Sequence, residues 1–119
     1  MSTRSDTTYS AVCSVCETGV RSDDANETIA FFRRHRRVTD HDIELDHDGV
    51  GVDVEITDAD VLRVVRKLQS TYDSGVPVGV VAAVMDDHDC SIDETIAQIH
   101  ARRMDGKLYE PVDDHLRAF

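Results

Sequence analysis

Two cysteines and two histidines constrain this chain more tightly than any other feature. Cys13 and Cys16 are separated by two residues, an 18-residue gap follows, and His35 and His41 are separated by five. Two residues between thiols let a turn aim both sulfurs at one point. A helix and its exit can bring two imidazoles to the opposite side, so the four side chains close a tetrahedron of the kind a structural metal needs. A piece of ~50 residues buries too little surface to be stable alone, and a structural metal supplies on the order of 10 kcal/mol. Cys13, Cys16, His35 and His41 are therefore the expected metal ligands, with structural zinc as the ion, and His47 is a further donor able to replace either histidine. Two other readings remain: a reduced dithiol that only packs, and a thiol redox pair. A thioredoxin-type pair needs a helix after its first cysteine, whereas Cys16 is followed by Glu17-Thr18-Gly19, a turn.

Around these residues the N-terminal half reads as strand, turn, strand, helix, strand. Tyr9, Ala11 and Cys13 alternate with polar neighbours. Gly19 supplies a turn. Asp23, Asp24 and Asn26 offer caps for a helix over 28–37, with Ile29, Phe32 and Arg36 on one face. Ile43 and Leu45 alternate with acidic residues, and His47-Asp48-Gly49 reads as a hairpin turn into a strand over 50–56. Residues 9–47 thus resemble a small zinc-finger-like domain, with a longer Cys-to-His gap than the usual two-Cys, two-His finger. The resemblance implies a ββαβ unit over 1–56.

The C-terminal half, 57–119, holds the long helical periodicities. Thr57-Asp58-Ala59-Asp60 starts a helix whose stripe is Val61, Leu62, Val65 and Leu68. Gly75 and Pro77 break it, and a second helix is expected over 78–85. After the polar turn 86–89, Ser91-Ile92-Asp93-Glu94 is a capping box for a third helix. Ile92, Ile96, Ile99 and Arg103 line its inner face, while Asp93, Glu94, Thr95, Gln98, Ala101 and Arg102 point outward. Gly106 ends it, and short strands around Tyr109 and Leu116 close a hairpin through Asp113-Asp114. Helix, helix, helix and hairpin make a winged helix-turn-helix, so the expected fold class is α+β.

Residues 60–119 resemble the winged-helix module at the C-terminus of archaeal minichromosome maintenance helicases. The resemblance rests on Val61-Leu62, on Val76-Pro77, and above all on Gly106-Lys107-Leu108-Tyr109-Glu110-Pro111 followed by His115-Leu116-Arg117. It covers about half of the chain and implies the fold more strongly than a function, since winged helices serve many roles. No Walker motif is present, so no helicase activity is expected.

Charge narrows the partners only after its cause is considered. Among 119 residues, 24 Asp and Glu face 13 Lys and Arg, a net charge of −11. Asp outnumbers Glu by 18 to 6 and Arg outnumbers Lys by 11 to 2. That bias resembles the proteins of a salt-in halophilic archaeon. In molar salt the Debye length is ~3 Å, so acidity reports the solvent and does not by itself exclude DNA. The one basic run, Arg33-Arg34-His35-Arg36-Arg37, is a candidate phosphate contact, with Gln98 and Arg102 of the third helix as candidate base contacts. The bland alternatives are a solvated helix end and a third helix that presents nothing to DNA, because its first turn and the hairpin are acidic. Cys90 reads as a turn residue, Tyr72 and Tyr109 as packing, and His88, His100 and His115 have no shared metal spacing.

The expected function is a DNA-binding regulator, either of transcription or architectural. The alternatives are a protein adaptor of the replication or transcription machinery and a metal- or thiol-responsive switch. No catalytic constellation is present, and neither an enzyme nor a small-molecule substrate is expected. No apolar run spans a membrane, and residues 1–10 lack an apolar signal core, so a cytoplasmic location is expected.

Overall fold

The computed structural model of the protein describes residues 8–48, 60–72 and 74–119. Among them are four helices and two three-stranded sheets, a small mixed α/β architecture. The N-terminal sheet has strand β1 (Thr8–Cys13) in the centre, flanked by β2 (Thr18–Ser22) and β3 (Ile43–Asp48), both antiparallel to it. Alternation decides its faces: Tyr9, Ala11 and Cys13 are buried and their neighbours are not. The expected turn at Gly19 lies earlier. The chain reverses between Cys13 and Glu17, where the Glu17 amide donates to the Cys13 carbonyl at 2.8 Å and Glu17 takes φ 59°. Gly19 instead sits within β2 opposite Val12, where a Cβ would stand 2.7 Å from the Ala11 carbonyl oxygen. It is there for close approach of strands, not for a turn.

Helix α1 (Asn26–Thr39) crosses this sheet, burying Thr28, Ile29, Phe31 and Phe32 at helical spacing. Beyond β3, the hairpin turn expected at His47-Asp48-Gly49 is replaced by strand as far as Asp48, and the expected strand over 50–56 lies outside the described residues.

Helix α2 (Val61–Leu68) is capped by Asp60, whose carboxylate accepts from the Leu62 amide at 3.0 Å. Helix α3 (Val78–Asp87) follows the short strand β4 (Val76–Pro77) and is buried from Val78 through Met85. A helix apolar on every side belongs at the centre of a core, and α3 packs against α1, α2 and the next helix alike. Helix α4 (Ile92–Met104) begins with the expected capping box, Ser91 and Glu94 each bonding the other's backbone. Gly106, at φ +77°, ends it in the left-handed conformation that only glycine adopts freely. Strands β5 (Leu108–Val112) and β6 (His115–Ala118) then form a hairpin, with β6 central in a sheet ordered β4-β6-β5.

The two halves share one core. Tyr9, Ala25 and Ile29 from the N-terminal half join Val61, Val65, Val76, Val81, Met85 and Leu116 in a single buried cluster. The seam is close: a Cβ on Gly79 of α3 would stand 2.0 Å from the Ala25 carbonyl oxygen. Asn26 bridges it, accepting from the Gly79 amide at 2.8 Å and donating to the Asp114 carbonyl at 3.0 Å.

The faces of α4 differ from expectation. Thr95, expected outward, is fully buried, and Gln98 and Arg102 are half-buried. Arg103, expected inward, is exposed and bonded to Glu110 at 2.8 Å. The reason is packing: α4 lies against α2 as well as α3, so its covered arc is rotated and wider than one apolar stripe.

Candidate metal centre

Cys13 and Cys16 stand at the two ends of the β1–β2 turn, and the Cys16 amide donates to the Cys13 sulfur at 3.4 Å. His35 lies in the last two turns of α1, stacked on Phe31 with ring centroids 5.3 Å apart. A residue six positions further along a continuing helix would face away from His35, because six steps turn it through about 240°. The helix therefore stops. Thr39 donates to the His35 carbonyl at 2.8 Å, Asp40 takes φ 62°, and the His41 amide donates to the Thr39 hydroxyl at 3.2 Å. This reversal returns His41 to the side of His35, their ring centroids 5.6 Å apart. The five-residue spacing is thus the length of one helix exit.

One donor atom from each of Cys13, Cys16, His35 and His41 falls within 4.8 Å of all the others. His41 Nδ1 lies 3.5 Å from the Cys13 sulfur and 3.1 Å from the Cys16 sulfur. Around a tetrahedral ion with bonds of ~2.3 Å to sulfur and ~2.0 Å to nitrogen, such donors stand about 3.5 Å apart. One further observation fits a cation. His35 Nε2 is buried with no hydrogen-bond partner among the described residues, a cost that ligation removes. Local desolvation, then the hydrogen bond and charge of Cys13, push the Cys16 thiol up. Cys13 is buried and Cys16 is exposed, so the cluster opens to solvent on the Cys16 side. The four residues can hold a metal ion. The His47 side chain lies outside the described residues, and its backbone pairs with Tyr9 at the far end of β3.

The candidate nucleic-acid contacts are placed differently. Arg33 grips the Asp114 carboxylate at 2.9 and 3.1 Å. Arg36 reaches Asp93 at 2.8 Å and Asp40 at 3.0 Å. Gln98 accepts from the Val61 amide at 3.1 Å, and Arg102 lies 3.5 Å from Asp60 and 3.7 Å from Asp105. Four of the six residues expected to face DNA thus hold α1 to the hairpin and to α4, or α4 to α2. Arg34 and Arg37 are exposed and have no acidic partner among the described residues. The same pairs account for the acidic first turn of α4 and the acidic hairpin, where Asp93 and Asp114 answer α1. Asn26, a candidate cap on sequence grounds, is the seam residue; a single sequence gives no signal of that, since its partners lie 53 and 88 positions away. Cys90 is half-buried beside the α3–α4 turn, and burial, then the charge of Glu94, pushes its thiol up.

The fold and this cluster define a small mixed α/β protein with a two-Cys, two-His centre able to take a metal ion. Residues 10–47 match the family model described as HVO_B0008 N-terminal, and residues 66–116 match the one described as HVO_B0008 C-terminal domain. The two matches follow each other in the order of their names. No curated protein and no solved structure matches the chain. No described helix is long and apolar enough to cross a membrane.

Proposed function

We propose that this chain is a zinc-stabilised, DNA-binding regulatory protein of a halophilic archaeon, with a winged helix as its C-terminal half. One observation carries the reading. The order α2, β4, α3, α4, β5, β6, with β6 between β4 and β5, is the order of a winged-helix module, in which α3 and α4 form the helix-turn-helix. The likeness of residues 60–119 to the minichromosome maintenance module supports the same fold. Two thiolates and two imidazoles that close a tetrahedron suit zinc in a structural role, leaving no open position for chemistry. No catalytic role is proposed, and the cytoplasm is the proposed location. Arg34 and Arg37, exposed and without an acidic partner among the described residues, are the cations of α1 available to phosphates.

Chromatin occupancy of the tagged protein in its native host tests this. Sharp peaks upstream of a few genes are the expected result. A second reading, an adaptor that docks a replication or transcription protein through α4 and the hairpin, draws support from the internal pairing of Arg33 and Arg36 and from the exposed acid Asp113 on the hairpin. A diffuse profile, together with a protein partner lost on Asp113→Lys, favours that reading instead.

A further inference from the structure

The presented helix α4 holds no free cation on its first turns, yet another surface does. On α2, Arg63, Arg66 and Lys67 fall at i, i+3 and i+4, opposite the buried Val61, Leu62, Val64 and Val65. All three are exposed, and none has a carboxylate partner among the described residues. In a chain of net charge −11, three unneutralised cations on one helix face are a concentrated positive surface.

The same half of the chain exposes an aromatic pair, on the hairpin to which the end of α2 is fastened. The Tyr109 and Phe119 rings meet with centroids 4.7 Å apart, tilted by 37° to each other, and stay 38% and 76% exposed. They stand on the outer face of the hairpin, the opposite face from buried Leu108, Leu116 and Ala118. The C-terminal end of α2 is fastened there: Gln69, its cap, accepts from the Ala118 amide at 2.8 Å, and Arg117 reaches the Tyr72 carbonyl at 3.5 Å. Lys107, exposed beside the pair, adds a further cation.

We infer that this surface binds a single-stranded nucleic acid, with phosphates on Arg63, Arg66 and Lys67 and an unpaired base on the Tyr109–Phe119 pair. Aromatic faces read bases only where the bases are unstacked, which a duplex does not offer. The combination also suits concentrated salt, where phosphate contacts weaken steeply and stacking persists. The inference rests on the nucleic-acid reading above and adds to it a second surface, for unpaired strands, apart from the duplex contacts of the helix-turn-helix.

Fluorescence anisotropy of the zinc-loaded full chain with labelled 12-mer oligothymidine, 12-mer oligouridine and a 12-base-pair duplex tests it. Expected are tighter binding of the single strands than of the duplex, a loss of roughly tenfold on Phe119→Ala with Tyr109→Ala at an unchanged salt slope, and a flatter salt slope on Arg63→Glu, Arg66→Glu and Lys67→Glu. Phe119→Tyr retains binding, which separates stacking from misfolding. Three results overturn the inference: equal binding by the triple variant and the parent, preference for the duplex, or equal binding of polyglutamate, which marks an acidic-peptide surface. Loss on Arg34→Glu with Arg37→Glu alone overturns the inference and leaves the nucleic-acid reading standing, whereas binding of none of the probes overturns both.

Discussion

Thr95 shows how a single side chain can be out of step with its surroundings. Its hydroxyl is fully buried in α4 and has no partner among the described residues. An unsatisfied buried hydroxyl costs about 1–3 kcal/mol, and valine has the same shape without it. Thr95→Val is expected to raise stability by about 1 kcal/mol, read from urea unfolding; a fall in midpoint would mean the hydroxyl is satisfied. Tyr9 carries a pH prediction. Burial, then the neighbouring Tyr72, pushes its phenol up to about 12 from the ordinary 10.0. The folded state therefore holds that proton more tightly than the unfolded chain does. Its contribution is complete below pH 10 and declines as pH rises toward 12. Thermal melts of Tyr9→Phe are expected to lose less between those values than melts of the parent.

Among the elements, those whose cause is local were legible in the sequence. The Ser91–Glu94 capping box, the Gly106 stop and the alternation of β1 all act within four residues, and each stands where the pattern placed it, whereas Asp60, expected on the first turn of its helix, is the cap before it. The four metal-site residues were legible for a related reason, since the spacing of donors encodes the turn and the helix exit that join them. What was not legible answers to distant partners. Gln98 caps α2 from 37 positions away, and Arg33 meets Asp114 across 81. No periodicity within α4 or α1 records either contact, so both residues read as outward-facing. At this scale the two-Cys, two-His cluster brings the β1–β2 turn to the exit of α1, and an ion bound there would tie the two together. Chelation, or Cys16→Ser, is expected to remove one bound ion per chain, measured by native mass spectrometry, and to lower the melting temperature by several degrees. Cys90→Ser leaves both unchanged. Equal melting with and without chelator would show that the cluster does not bear load.

Across the whole molecule, the shared core predicts one cooperative transition. Tyr9 and Ile29 are buried in the same cluster as Val65 and Met85, so neither half can open without exposing the other. Gly79→Ala tests the seam directly, because its Cβ would overlap the Ala25 carbonyl group at 2.0 and 2.2 Å. Overpacking of this kind costs about 1–3 kcal/mol or more. The variant is expected to melt earlier, or in two steps if the halves separate; an unchanged single transition would mean that α1 shifts freely away from α3. Exposed pairs such as Arg33–Asp114 contribute little each, about 0–1 kcal/mol, and less still in concentrated salt. Apolar contact and the Asn26 bridge therefore contribute more than the Arg33 and Arg36 ion pairs to holding the halves together.

The seam also bears on how such a chain can be altered over generations. A half transplanted onto another protein would arrive with an unfinished side: Ala25 and Ile29 bare on one piece, Gly79 and Val81 bare on the other. The two halves are not interchangeable cassettes. A recombinant that trades one of them must carry matching residues on both banks of the join, so substitutions at Ala25, Asn26 and Gly79 are expected to be inherited as a set.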